Sequence, residues 1–161
     1  MTDRPRIAAR KHSERPHVLI LTDDPSLANF LNEGLPLGGF WTTVIASGLQ
    51  ALEVFRLRQF DIIAVDWGLR SFDALELVRR LRGLSSRSDG GPARTSAPIV
   101  VISEQPVDLD ASECDRLEIN RLFFAPLELD DLVPELHAVF EAWRSRYPSI
   151  PLSDDPLRAK D

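Results

Sequence analysis

The sequence predicts an open α/β domain, a parallel sheet covered by helices on both faces. Three observations lead there. Strand-like apolar runs and helix-like patterns alternate five times along the chain. Four of the five runs have no polar face, as expected for strands buried on both sides. Two of the runs end in carboxylates, and open α/β sheets place their ligands at such strand ends.

The 161 residues suffice for one domain with a sizeable core and some tail. An apolar content of 43% and a charged content of 27% fit a globular protein. Residues 1–15 carry a net +3 while the chain carries −6, so the remainder holds −9. That excess argues against nucleic acid as the main partner of the folded part. The basic segment 1–16 is expected to be a flexible tail. The single cysteine, Cys114, rules out an internal disulfide and suits a reducing, cytoplasmic setting. No apolar run approaches the roughly 20 residues that a membrane helix needs, and no signal peptide opens the chain.

Val18-Leu19-Ile20-Leu21 is the first strand. Asp24 followed by Pro25 opens a helix carrying Leu27, Phe30 and Leu31, with Gly34 as its expected C-cap. Phe40–Ala46 is a mixed second strand with Trp41 and Val44 half buried, and Ser47-Gly48 starts a helix with Leu52 and Phe55 inward. Asp61–Val65 is the third strand, and Gly68 predicts a turn just beyond Asp66. A third helix begins at Phe72-Asp73, with Ala74, Leu77, Val78 and Leu81 on one face, and ends at Arg82-Gly83. Residues 84–97, rich in Ser and Gly, are expected to be an inserted loop. Pro98–Ser103 is the fourth strand, Leu109–Leu117 a weaker helix and Asn120–Phe124 a short fifth strand. The last helix carries Leu132, Leu136, Val139, Phe140 and Trp143, and Pro134 is expected to disturb its first turn. The domain is expected to span 17–145, with 146–161 a second flexible tail.

Right-handed crossovers make a flavodoxin-like (βα)5 doubly wound sheet of order 2-1-3-4-5 the natural arrangement. The first and third strands are then neighbours, and Asp23, Asp24 and Asp66 meet at one sheet end. Two readings are open for these acids. They could be turn and cap residues. They could also form a site, since oxygen ligands without His or Cys suit a hard cation, Mg²⁺ in particular. A carboxylate beside such a metal can attack phosphorus and form an acyl phosphate. Ser103, at the tip of the fourth strand, could hydrogen-bond a phosphoryl oxygen. His17 and His137 are read as surface or packing residues, and Cys114 as inert.

Four motifs together, Leu21-Thr22-Asp23-Asp24, Val65-Asp66-Trp67, Ile102-Ser103 and Pro126 after the fifth strand, resemble the response-regulator receiver domain across about residues 17–145. The resemblance implies that Asp66 is the phosphoacceptor, fed by a histidine kinase or phosphotransfer protein. It implies that Asp23 or Asp24, Asp66 and the Gly68 carbonyl ligate Mg²⁺, and that Ser103 is the hydroxyl that moves towards the phosphoryl group. It also implies a possible homodimer through the fourth helix, fifth strand and last helix, a face that would include Leu117 and Arg121.

Four positions depart from the pattern. Ala125 stands where the family has Lys, Leu122 occupies the aromatic switch position, Arg70 replaces the Pro after the phosphoacceptor loop, and Ala74 replaces the Gly after that. Losing one preorganised charge partner typically costs ~10²–10³ in rate, and Arg70 is a candidate substitute cation. The leading expectation is therefore a stand-alone, atypical response regulator acting through protein contacts. The alternative is a phosphorylation-independent pseudo-receiver that binds or dimerises. A phosphohydrolase would need a second acid close after Asp66, and Trp67-Gly68-Leu69-Arg70 offers none.

Overall fold

A computed structural model describes residues 15–84 and 95–148. Most of the expected tails and of the expected inserted loop lies outside the described residues. The strands are β1 (His17–Leu21), β2 (Trp41–Ile45), β3 (Ile62–Asp66), β4 (Ile99–Ser103) and β5 (Ile119–Phe124). They form one parallel sheet in the order β2-β1-β3-β4-β5, the flavodoxin-like order expected. The helices are α1 (Pro25–Gly34), α2 (Gly48–Leu57), α3 (Ala74–Leu81), α4 (Ala111–Leu117) and α5 (Leu129–Arg146).

The strands read as continuous apolar runs because alternate residues enter two separate cores. Leu19, Leu21, Ile63 and Val65 pack under α2, α3 and α4 with Leu52, Phe55, Leu77 and Leu81. Val18, Ile20, Ile62 and Ala64 pack under α1 and α5 with Leu31, Leu136, Phe140 and Trp143. At about 1.5–3 kcal/mol per fully buried large apolar side chain, these two layers dominate the folding energy.

Helix starts follow their capping residues. The Asp24, Ser47, Asp73 and Asp110 side chains each accept backbone N–H bonds from the first turn of α1, α2, α3 and α4. Helix α3 therefore starts one residue after its cap rather than at Phe72, which packs against Gly48 instead. Helix α5 runs through Pro134. Its first turn carries both an Asp131 and a Leu132 N–H bond to the Glu128 carbonyl, at 3.1 and 2.9 Å.

Several sequence expectations are corrected. Gly34 does not end α1 in a left-handed turn; its φ is −86°, and the chain continues into a 3₁₀ turn over Leu35–Gly38. The left-handed cap is Gly39, with φ of 98°. Gly34 lacks a side chain for a different reason, because a Cβ there would collide with Leu129 of α5. Leu117 is not part of an exposed face. It is 1% exposed and packs beneath the sheet, because Glu118 turns the chain at φ 53° directly into β5. Arg15 lies over the Trp41 ring, the Pro16 carbonyl accepts the Trp41 N–H at 2.9 Å, and Tyr147 packs on Trp143.

Arg82 is a structural residue that sequence reading passed over. Its guanidinium donates to the carbonyls of Leu117, Thr95, Ala97 and Glu118 at 2.8–2.9 Å. One side chain thus ties the end of α3 to the approach to β4 and to the α4–β5 turn. Burial lowers its pKa from the ordinary arginine value, with Glu118 pulling the other way. Arg82→Met keeps the stem and removes every donor, leaving carbonyls without partners. We expect a loss of roughly 2–4 kcal/mol, since bonds from charged donors contribute about 1.5–3 kcal/mol each. Thermal unfolding should fall by several degrees at least; an unchanged midpoint would show that water replaces the clasp.

Candidate functional site

The site lies at the C-terminal edge of the sheet, where strand order reverses between β1 and β3. Leu21 pairs with Val65, so the residues that follow β1 stand beside Asp66, the last residue of β3. A cleft of about 790 Å³ opens there. Its lining includes Asp23, Asp24, Asp66, Gly68, Arg70, Ser103 and Ala125. The structure thus gathers every sequence-predicted site residue except Leu122, which is half buried within β5 and pairs with Val101 of β4.

Each polar residue is held by backbone or by a neighbouring side chain. Asp66 Oδ1 accepts the Gly68 N–H at 2.8 Å. A Cβ at Gly68 would lie 3.3 Å from that oxygen, so the turn at Trp67-Gly68 leaves little room for a larger residue. Asp66 Oδ2 accepts the Thr22 hydroxyl at 2.7 Å. Trp67 N–H donates to the Ile102 carbonyl at 2.8 Å and ties the ends of β3 and β4 together. Asp24 Oδ1 caps α1 through Ser26 N–H at 3.0 Å. Asp23 Oδ2 accepts the backbone N–H groups of Arg70 and Ser71, at 2.9 and 3.1 Å. The Ser71 hydroxyl in turn donates to the Ala46 carbonyl at 3.0 Å. Asp23 therefore fastens the loop after β3, while Asp24, which caps α1, also lines the cleft.

Ser103 is 7% exposed, and its hydroxyl donates to the Gln105 carbonyl at 2.6 Å rather than pointing to Asp66. Ala125 N–H donates to the Ser103 carbonyl at 2.9 Å, which fixes Ala125 at the rim of the cleft. Arg70 is exposed and is the one cation among the cleft residues, against Asp23, Asp24, Asp66 and Glu104. The cleft is consequently an acidic site with a local charge excess that favours a cation.

The donor set suits Mg²⁺ in kind, being all oxygen. The close three-carboxylate cluster expected from sequence is not formed: among the described residues no group of three or more His, Cys, Asp or Glu is placed to hold a metal. Asp23 and Asp24 each commit one oxygen to backbone amides. A site of one or two carboxylates completed by water and backbone carbonyl fits both this geometry and the octahedral preference of Mg²⁺.

The remaining candidates behave as packing residues. His17 bonds Thr43 through Nε2 at 2.7 Å and meets Phe60 edge-on, while His137 stacks on Phe40 and bonds the Gly38 carbonyl. Burial, and then the neighbouring Asp115, Asp110 and Glu113, raise the Cys114 thiol pKa, which suits an inert thiol. Sequence reading missed Thr22 as a site residue. A hydroxyl between a buried strand and two acids was the available signal.

A doubly wound sheet with an acidic cleft over the end of its third strand defines a receiver-type signalling module. The comparisons agree. Over 96 residues the chain is 32% identical to the DNA-binding response regulator MtrA of Mycolicibacterium smegmatis, covering 60% of this chain and 38% of that protein. It is 25% identical to a CheY-like response regulator receiver domain from Methylobacillus flagellatus, with a TM-score of 0.63, covering 77% of this chain and 98% of that one. It is 30% identical to a sensor protein from Polaromonas, with a TM-score of 0.62, covering 80% of this chain and 98% of that one. No protein-family model matches. The chain belongs to the receiver-domain family of response regulators in two-component signalling. It spans less than half the length of the curated relatives it matches. Among the described residues no helix is long and apolar enough to cross a membrane. Receiver domains are signalling modules that bind Mg²⁺ and interact with histidine kinases or phosphotransfer proteins.

The loop-fastening role of Asp23 gives a direct expectation. Asp23→Ala removes the acceptor of two amides. Loss of charge-assisted bonds of about 1.5–3 kcal/mol should raise hydrogen exchange at Arg70 and Ser71 by roughly tenfold or more, with little change in β1. Unchanged exchange at both amides would contradict it.

Proposed function

We infer that Asp66 accepts a phosphoryl group in a two-component or phosphorelay pathway, and that the domain signals by protein–protein contact. The observation that carries this reading is the placement of Asp66 at the end of β3, in a cleft shared with Asp23 and Asp24. In this reading Mg²⁺ is held by Asp66, by Asp23 or Asp24, and by the Gly68 carbonyl. The metal supplies charge neutralisation at the phosphoryl oxygens. Asp66 supplies the nucleophile, the Gly68 amide and Thr22 hydroxyl orient it, and Ser103 is the hydroxyl available to a phosphoryl oxygen once it leaves Gln105. The phosphoryl source is a histidine kinase or phosphotransfer protein. The output surface is the face of α4, β5 and α5, where Arg121 pairs with Glu135 and Phe124 is 50% exposed; a homodimer through that face belongs to the same proposal.

A second reading, a pseudo-receiver that works without phosphorylation, is favoured by two observations. Ala125 contributes no cation to the cleft, and the Ser103 hydroxyl is already engaged by its own loop. The two readings differ in what Ala125→Lys does. Positioning by the acids and backbone survives without Lys, while one neutralising charge is lost. We expect slow phosphorylation of the parent by a small phosphodonor with Mg²⁺, and at least tenfold faster modification of Ala125→Lys, about 1.4 kcal/mol of barrier. Intact mass against time for the parent, Ala125→Lys, Arg70→Ala and Asp66→Asn checks this. A parent as fast as Ala125→Lys, and unaffected by Arg70→Ala, would make the missing Lys irrelevant. Modification of Asp66→Asn would remove the phosphoacceptor assignment.

A further inference from the structure

We propose that the Thr22 hydroxyl sets how long a phosphoryl group stays on Asp66, by favouring the free carboxylate over the acyl phosphate. The proposal rests on Asp66 being the phosphoacceptor. Thr22 follows β1 directly, is 1% exposed, and has its N–H held by the Ile45 carbonyl at 3.2 Å. Its oxygen accepts the Asp24 N–H at 3.0 Å and lies 2.7 Å from Asp66 Oδ2. An ionised carboxylate only accepts, so the hydroxyl hydrogen is the one shared in that contact. The strand register makes the contact fixed, because Leu21 pairs with Val65 and carries Thr22 alongside Asp66.

Phosphorylation changes what this hydrogen bond is worth. In the forward step an Asp66 oxygen bonds to phosphorus while the bond from phosphorus to the donor's leaving group breaks, and that group departs with the electron pair. In the reverse sense, water bonds to phosphorus and the Asp66 oxygen–phosphorus bond breaks. Its electron pair returns to the carboxylate, and the water's two protons leave with inorganic phosphate, as H₂PO₄⁻ or as HPO₄²⁻ and a proton released to solvent. Whichever oxygen joins phosphorus, Oδ2 stops being half of a carboxylate and becomes an ester or carbonyl oxygen. Hydrogen bonds to an ionised acceptor are roughly twice as strong as neutral ones. The hydroxyl therefore stabilises Asp66 before transfer more than after it. It restrains attack on the donor and assists departure of the carboxylate when water attacks. Thr22 is a positioning residue in this account: it touches Asp66 and does not itself exchange a bond with phosphorus.

The test is the half-life of the acyl phosphate. The parent, Thr22→Val, Thr22→Ala and Thr22→Ser are charged with acetyl phosphate and Mg²⁺, freed of donor, and followed by intact mass. Thr22→Val is close to isosteric but leaves the Asp24 N–H without its acceptor, so Thr22→Ala, a second removal of the hydroxyl with a smaller side chain, guards against a defect peculiar to Val. Removing the hydroxyl should lengthen the half-life by about fivefold or more, as expected when a charge-assisted bond is lost from the carboxylate alone. Thr22→Ser, which restores the donor, should return it to within about twofold of the parent. Half-lives in Thr22→Val and Thr22→Ala equal to the parent would overturn the proposal, as would Thr22→Ser behaving like Thr22→Val. If no variant gains mass, the phosphoacceptor reading itself fails and takes this proposal with it, an outcome distinct from equal half-lives.

Discussion

The parallel pairing of β1 with β3 is the constraint on which the rest of the structure depends. It places Leu21 against Val65, and so sets Thr22, Asp23 and Asp24 beside Asp66. It is also the point where the chain's crossovers change direction, leaving an opening between α1 and the loop after β3. A slip of one residue in this register would exchange the two faces of β1. Leu19 and Leu21 would leave the layer under α2, α3 and α4, and Val18 and Ile20 would leave the layer under α1 and α5. Core packing thus enforces the register, and the register assembles the cleft.

The groups at the sheet's C-terminal edge do two things at once. Asp24 caps α1, Asp23 fastens residues 70 and 71, Ser103 closes the turn to Gln105, and Asp66 accepts from Gly68 and Thr22. Carboxylates that would repel one another in isolation are stabilised by backbone amides aimed at them. The fold's own amides and hydroxyls thus hold the acids of the cleft in place. The cleft sets few cations against these acids. Ala125 offers the cleft a methyl group, and Arg70 is the one positive side chain among the residues that line it. The neutral Thr22 hydroxyl donates to the Asp66 carboxylate.

Much of the fold was legible because it follows from local pattern. Five alternations of apolar runs and amphipathic segments, with caps at Asp24, Ser47 and Asp73, specify the element order, and handed crossovers then give the strand order. Asp66 was legible as a carboxylate ending a buried strand. Other features depend on partners distant in sequence. Arg82 reads as a basic residue ending a helix, and only the folded chain brings four carbonyls around it. Gly34 reads as a cap, while its real constraint is Leu129, which lies in another helix. Leu117 was expected on a dimer face from the resemblance alone, whereas the fold turns this last residue of α4 under the sheet. Thr22 reads as the end of a strand, and its bond to Asp66 spans 44 residues.

The central claim is that the cleft at the β1–β3 tip is where Mg²⁺ and a phosphoryl group are received. The most direct measurement is an amide-resolved NMR titration with Mg²⁺ and beryllofluoride, a phosphoryl mimic. The account predicts the largest shifts at Gly68, Asp24, Arg70 and Ser71, whose amides bond the acids or the Thr22 hydroxyl, and their loss in Asp66→Asn. Shifts of equal size in Asp66→Asn, or a titration that leaves these amides unmoved, would contradict it.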